Sequence, residues 1–441
     1  MSKTPVTAVF DIGKTNKKFF LFDEDLNVVF STYTRLDPIP DEDDFPSEPL
    51  GPLCEWMLQT FKEALKSEEF QLKKLNFSCH GASLVHTDAA GNPTTPLYDY
   101  LKPFPEDLLS RFYEENGGKM NFCRATSSPP LAMLNSGLQL YFIKYAKPEL
   151  FRKIKHSFHF PQFLSFLFTG EKVSDYTSIG CHTGLWDYEA NDYHEWVDRE
   201  GIRPLLPPIV PGNTLLKTKP ELGNIPCGIG VHDSSSALLP YLKQETEPFA
   251  LLSTGTWAIT INPFNKTKLT KKELKRDCLH FLSIKGVPIK ISRLFIGEEH
   301  KHQIDELYAH FNLPLGTYKK LKFELEIYEK VASQKQKRVR FQYLTPSLFD
   351  QEQAEANDWS VFPEFTEAYY TFIHELTELQ VASIQLVTQN APVNRLFVDG
   401  GFNANDIFVE MLRLKLPEMT IIPSDFPNGS ALGAAMLASM N

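Results

Sequence analysis

What this 441-residue chain lacks excludes several protein classes. Its six cysteines, Cys54, Cys79, Cys123, Cys181, Cys227 and Cys278, are scattered, and no two form a C-x-x-C pair. A zinc site of the usual spacing and a disulfide scaffold are therefore not expected. No stretch approaches the ~20 consecutive apolar residues of a membrane span, so no membrane partner is expected. Asp11 breaks the first apolar run early, so that run does not read as the core of a secretory signal, and the cytoplasm is the expected location. Long basic tracts are missing as well. The net charge is −10, and the stretches 335–340 and 271–276 are short and interrupted. They read as solvated surface rather than as a nucleic-acid face. Low-complexity segments and the G-x-G-x-x-G dinucleotide spacing are also absent.

What is present begins at residues 8–22. An apolar run ends on Asp11, a Gly13-Lys14-Thr15-Asn16 turn follows, and a second apolar run starts after Lys17-Lys18. This predicts a β-hairpin with its polar groups gathered at the turn. Gly13 lets backbone approach a ligand, and the turn N–H groups with Thr15 and Lys14 or Lys18 suit phosphate oxygens. Asp11 suits Mg2+, directly or through water. An ordinary edge hairpin with a polar tip is the bland alternative. A second copy argues against it: residues 249–261 repeat the pattern around Ser253-Thr254-Gly255-Thr256, followed by Trp257, Ile259 and Ile261. One such unit in each half predicts two related domains facing each other across a cleft.

The first hairpin runs on into a strand near 28–34, a helix with apolar positions Leu53, Trp56, Met57, Phe61 and Leu65, and a buried strand at 75–79 that ends on His80-Gly81. That order is βββαβ, unlike the alternating units of a dinucleotide-binding fold. A further hairpin is expected from 83–87 across Asp88–Asn92 to Pro93 onward. Residues 131–196 read as mainly helical, with one segment over 158–168. The likeliest junction is 243–248, dividing the chain into domains 1–244 and 245–441. The second half closes with a strand at 396–399, a Gly400-Gly401 turn, a helix at 406–414, a strand at 419–422 and a small-residue helix at 430–438.

Four of these segments, in order, resemble the FGGY-type carbohydrate kinases of the actin, hexokinase and heat-shock ATPase superfamily. They are 11–18, 230–237 (Gly-Val-His-Asp-Ser-Ser-Ser-Ala), 253–257, and 398–405 with 429–435 downstream. The resemblance implies an α/β fold of two ribonuclease H-like (actin-like ATPase) domains. Each is a βββαβ-type mixed sheet flanked by helices, with a cleft between. It implies ATP and Mg2+ as cofactors and phosphoryl transfer to a small sugar. Gly13, Lys14, Thr15, Asn16 and Lys18 match the first phosphate motif, and Thr254, Gly255 and Thr256 the second. Gly400, Gly401 and Asn405, with the 429–435 segment, match the adenosine segment. Asp233 matches the catalytic base, and Asp11 with Asp233 the metal carboxylates. His80, as a donor to a sugar hydroxyl, with Gly81, Asp99 and Asp233, makes the implied substrate set.

Two departures from the family pattern stand out. Lys14 replaces a usual Thr and adds a charge near the phosphates, and Phe402 replaces a frequent third glycine. Arg293, Glu298, Glu299, His300 and His302 form a further polar cluster, read as an exposed loop or a secondary nucleotide contact. The resemblance is nearest, loosely, to the rhamnulokinase, fuculokinase and xylulokinase branches, so L-rhamnulose, L-fuculose and xylulose are the expected acceptors. A sugar- or nucleotide-binding regulator and an actin- or chaperone-like ATPase are the alternatives. Asp233 argues against the first, and the polar segment from His80 to Tyr100 against the second. A homodimer is left open.

Overall fold

The structure is a computed structural model that describes residues 3–334, 336–344, 347–349, 355–424, 426 and 428–440. Lys335, at the head of one basic stretch, lies outside the described residues. The chain forms two compact units. The first comprises Met1–Gln244, His280–Pro288 and Asn428–Asn441; the second comprises Glu245–Leu279 and Ile289–Pro427. The sequence reading carried a single second domain from 245 to 441, whereas these units group 280–288 and 428–441 with the first.

In the first unit, β1 (Thr4–Ile12) pairs antiparallel with β2 (Lys17–Phe22), which pairs antiparallel with β3 (Val28–Thr34). On its other edge β1 runs parallel to β4 (Phe70–Cys79), which lies parallel to β5 (Pro226–Gly228). Residues 6–10 of β1 are buried without a break, as expected for a central strand covered on both faces. Helix α1 (Leu50–Leu65) buries Leu53, Met57 and Phe61 at helical spacing over this sheet. Phe10 stacks on Phe77 at 6.2 Å in the shared core. Short helix α2 (Asp233–Ala237) follows a two-residue strand, Val231–His232, that pairs with the end of β4.

The second unit repeats the plan. Strand β6 (Ala250–Thr254) pairs antiparallel with β7 (Ala258–Asn262), and β7 with β8 (Pro288–Leu294). Strand β6 also runs parallel to β9 (Arg395–Gly400), and β9 to β10 (Thr420–Pro423). Helices α3 (Ile296–Phe311), α4 (Phe365–Thr388) and α5 (Asp406–Lys415) contribute to its core. The duplication extends to register. Asp11 of β1 stands beside Ser78 of β4, and Ser253 of β6 stands beside Asp399 of β9. Each half thus places one carboxylate and one hydroxyl at the end of its central parallel pair, with the strands exchanged.

The last helix, α6 (Gly429–Ala438), belongs to the first unit. Its apolar residues surround the whole helix, and Ala431, Ala434, Ala435 and Leu437 pack with Val9, Phe20 and Val231. An all-round apolar helix has to be enclosed, which explains its return to that core.

The expected hairpin at 83–93 forms as a short one: the Asp88 N–H donates to the Asn92 carbonyl at 3.0 Å and the Thr94 N–H to the His86 carbonyl at 2.8 Å. Beyond the Thr87–Pro93 bridge the returning arm does not extend the ladder, and strand Leu84–Thr87 pairs along its length with His156–His159. Pro93 and Pro96 have no N–H for a ladder, while the Asp88 side chain accepts from the Ala90 and Asn92 backbone and holds a tight turn. The helix expected from 158 accordingly starts at Phe160.

Candidate active site

Asp11 sits at the polar end of β1. Its carboxylate accepts the Ser430 hydroxyl of α6 at 3.0 Å. Loss of hydration, aided by the charge of Asp233, raises its pKa from 3.8 to about 6, with Ser430, Lys18 and Ser78 pulling the other way. Asp233 opens α2 and accepts the Ser234 backbone N–H at 2.6 Å and hydroxyl at 3.2 Å. His232 Nε2 lies 3.3 Å from the same oxygen. Crowding by protein raises the Asp233 pKa, opposed by His80, while its side chain stays 34% exposed. Such a carboxylate is reachable by a ligand and more basic than usual, the two properties a proton acceptor needs.

Helix α6 braces both carboxylates. Besides the Ser430 bond to Asp11, the Ser430 carbonyl accepts the Ser236 hydroxyl of α2 at 2.6 Å. A Cβ on Gly433 would lie 1.9 Å from the Ser236 carbonyl oxygen, so only glycine permits this approach. Within the 429–435 segment, Gly433, Ala434 and Ala435 stand in a close-packed helix, as their sizes suggest, while Ser430 reaches Asp11 and α2.

The first loop is pinned from within. Lys17, 1% exposed, donates to the Gly13 and Lys14 carbonyls at 2.8 Å each and to Glu48 at 3.1 Å. The Gly13 N–H is spent on the Asn16 carbonyl at 3.1 Å. Thr15 is exposed, and the Asn16 side-chain oxygen accepts from Arg35 at 3.0 Å. Lys18 is the lysine of this loop whose charge bears on Asp11. Lys14, matched by resemblance to the phosphate motif, is engaged by two carboxylates. Its ammonium lies 2.9 Å from Asp99 and 3.1 Å from Glu48, and 4.9 Å from the centre of the Tyr100 ring.

His80 continues this group: its ring lies 6.5 Å from that of Tyr100. Burial lowers its pKa, against the pull of Glu48, so the ring is neutral at neutral pH. Its Nδ1 is 3.0 Å from the Gly81 carbonyl, which can only accept, so Nδ1 carries the proton and Nε2 is an acceptor. The expectation that His80 donates to a sugar hydroxyl is thereby reversed. Nε2 has no partner among the described residues. Gly81 is confined, since a Cβ there would meet Cys181 Sγ at 3.0 Å and the His232 ring at 3.1 Å. Asp99 is held at both oxygens, by Lys14 and by the Leu101 N–H at 2.8 Å.

In the second unit, Gly255 and Thr256 are exposed at the tip of the β6–β7 turn. The Thr254 side chain points elsewhere: it donates to the Asp399 carbonyl and accepts the Phe402 N–H at 3.0 Å. Gly400 has φ of +84°, and a Cβ there would fall 1.8 Å from the Thr254 carbonyl oxygen. Gly401 has open space where a Cβ would stand. Beside it is a cavity of about 480 Å³ bordered by Gly255, Tyr318, Leu321, Gly401, Phe402 and Asn405, with Lys319 and Lys322 at its rim. Phe402 supplies an apolar wall and packs on Phe408 and His300. Asn405 caps α5 and donates to the Tyr369 hydroxyl at 2.8 Å.

The cluster, read as an exposed loop or a secondary nucleotide contact, is not a loop but the end of a strand and the start of a helix. Arg293 in β8 is buried and paired with Asp277 at 2.9 Å, against the Trp257 ring. Buried Glu299 accepts the Gln342 and Tyr343 N–H groups. His300 borders the cavity, with its pKa lowered by burial to about 4. The N–H of Gly297, at the start of α3, donates to the Thr256 carbonyl at 3.0 Å and braces the turn.

Among the described residues, no three His, Cys, Asp or Glu side chains form a cation cage. Asp11 and Asp233, each with a raised pKa, still fit Mg2+, which commonly rests on one or two carboxylates plus substrate phosphate.

A family model for the FGGY family of carbohydrate kinases, N-terminal domain, matches residues 6–240. A rhamnulokinase of Oceanobacillus iheyensis is 28% identical over 134 residues, which is 28% of this chain and 28% of that relative's length. Among solved structures, a carbohydrate kinase from Novosphingobium aromaticivorans superposes with a TM-score of 0.77 at 21% identity, covering 98% of this chain and 93% of its own. A ligand-bound xylulose kinase from Lactobacillus acidophilus superposes with a TM-score of 0.81 at 14% identity, covering 98% and 89%. The two superpositions show the fold, and the family match covers more than half of the sequence.

Proposed function

The chain belongs to the FGGY family of carbohydrate kinases, and on that premise we propose that it transfers the γ-phosphate of ATP to a hydroxyl of a small ketose. L-rhamnulose leads the candidates because the matched relative bears the name rhamnulokinase; L-fuculose and xylulose follow. The observation that carries the reading is the pair of crowded carboxylates, Asp11 and Asp233, each raised in pKa and both braced by α6.

Phosphoryl transfer depends on positioning and charge stabilisation more than on covalent chemistry. Asp233 takes the proton of the attacking hydroxyl, which its raised pKa and exposed side favour. His80 accepts a second sugar hydroxyl at Nε2 and fixes the orientation of the acceptor. Mg2+, when bound, neutralises charge that develops on the phosphates. Asp11 would hold that ion, and Lys18, the cross-strand partner of Asp11, would face phosphate oxygens. The cavity beside Gly401 receives adenine, with Tyr318 and Phe402 as apolar walls and Lys319 and Lys322 for the phosphates. A coupled ADP-release assay with MgATP across ketoses, aldoses and polyols tests the reading. Sugar-dependent ADP release with at least one ketose supports it, and silence across the panel overturns it.

A further inference from the structure

We propose that Lys14 belongs to the acceptor-sugar side of the site and not to the nucleotide side, and that with Asp99 it selects a neutral polyhydroxy acceptor. The inference rests on the kinase reading above.

The ammonium of Lys14 has three N–H donors. Two are used, on Asp99 at 2.9 Å and Glu48 at 3.1 Å, and the side chain is 32% exposed while Glu48 is 8% exposed. The third donor is available to a ligand. The direction of the side chain is fixed by its own loop: Lys17 ties the Gly13 and Lys14 carbonyls to the same Glu48 that binds Lys14. From Lys14 the group runs to Tyr100, 4.9 Å from the ammonium, and on to His80, whose ring is 6.5 Å from Tyr100. His80 in turn follows Cys79, which pairs in register with His232, the residue before Asp233. The lysine that bears on Asp11 is Lys18. One loop thus sends one lysine toward the metal carboxylate and the other toward the acceptor.

Charge then sets the class of acceptor. Around the acceptor stand Lys14 and Lys17 against Glu48, Asp99 and Asp233. Burial disfavours the charge of Lys14 and of Glu48, but Glu48 and Asp99 together outweigh that loss at Lys14, and Lys14 with Lys17 and His80 outweighs it at Glu48. Among these described groups the carboxylates outnumber the lysines, so none of the lysines is left uncompensated for a carboxylate or phosphate on the acceptor. A neutral sugar fits, with one hydroxyl accepting from Lys14 and a neighbouring hydroxyl donating to Asp99.

The test uses the full chain, wild type and the Lys14→Met and Asp99→Asn variants. Calorimetric titration with MgADP reads the nucleotide side, and the coupled assay reads KM for ATP and for the best ketose of the panel. Removing a charged hydrogen bond predicts an increase of about tenfold or more in sugar KM for both variants, with ATP KM and MgADP affinity within about threefold of wild type. D-gluconate should be turned over at least about a hundredfold less efficiently than the best neutral sugar, because its carboxylate meets uncompensated negative charge. A tenfold loss of MgADP affinity in Lys14→Met with sugar KM unchanged overturns the assignment, and preferential use of D-gluconate overturns the acceptor class. A wild-type chain silent on every sugar overturns the kinase reading instead. The MgADP titration still tests the nucleotide half in that case: weakened binding in Lys14→Met overturns the assignment, and unchanged binding excludes Lys14 from the nucleotide side only, the acceptor half falling with the kinase reading.

Discussion

Asp11 lies among apolar strands, and holding a charge there destabilises the ligand-free fold. Its pKa of about 6 against 3.8 means that the folded state holds the proton more tightly than the unfolded chain. The sign follows: below pH 3.8 the group is neutral in both states, and stability is lost as pH rises from there through about 6. Asp11→Asn removes that charge and keeps an oxygen for Ser430. It should raise the ligand-free stability at pH 7.5 by about 1–3 kcal/mol in chemical denaturation, and the gain should vanish near pH 4. The same variant should lose sugar-dependent activity. For the wild type, kcat/KM for MgATP should fall as pH drops through about 6, because a protonated Asp11 no longer holds a cation. A profile flat from pH 5 to 8 would contradict the metal role.

At the scale of elements, glycine positions separate contact from capacity. Gly433 lies against α2 with no room for a methyl, whereas Gly51 in α1 has nothing within 4 Å of its Cβ position. Gly433→Ala should cost about 1–3 kcal/mol in thermal or urea unfolding and reduce kcat, since α2 carries Asp233. Gly51 precedes Pro52, whose ring crowds a Cβ on the helical residue before it, so Gly51→Ala should bring no gain in stability and leave activity unchanged. The strand-turn-strand units were legible in the sequence because apolar runs broken by small polar turns have few other structures. Lys17 carries its own signal in the sequence. It shares strand parity with Phe19 and Leu21, both buried, so an inward lysine needing a carboxylate follows from period two. Its partner Glu48 had no such signal, because the two lie 31 residues apart on separate strands. The proton position on His80 depends on the Gly81 carbonyl, a backbone geometry that residue types do not encode.

Across the whole molecule, the two units share one strand plan but not one chemistry. The first has Asp11 on its leading strand and Ser78 beside it, and the second has Ser253 and Asp399 in the exchanged positions. The duplication was visible from sequence as two similar turns. The return of α6 to the first unit was not, because an apolar small-residue helix does not state which core encloses it. That return puts Ser430, from the far end of the chain, on Asp11 near its beginning. The central claim is that Asp233 is the base in an ATP-dependent sugar phosphorylation. The most direct measurement compares sugar-dependent ADP release by wild type and Asp233→Asn, with MgADP affinity measured on both. The expected result is ketose-dependent release by wild type, a loss of about 10²–10⁴-fold in kcat for the variant, and similar MgADP affinity. Equal turnover by the two proteins would contradict it.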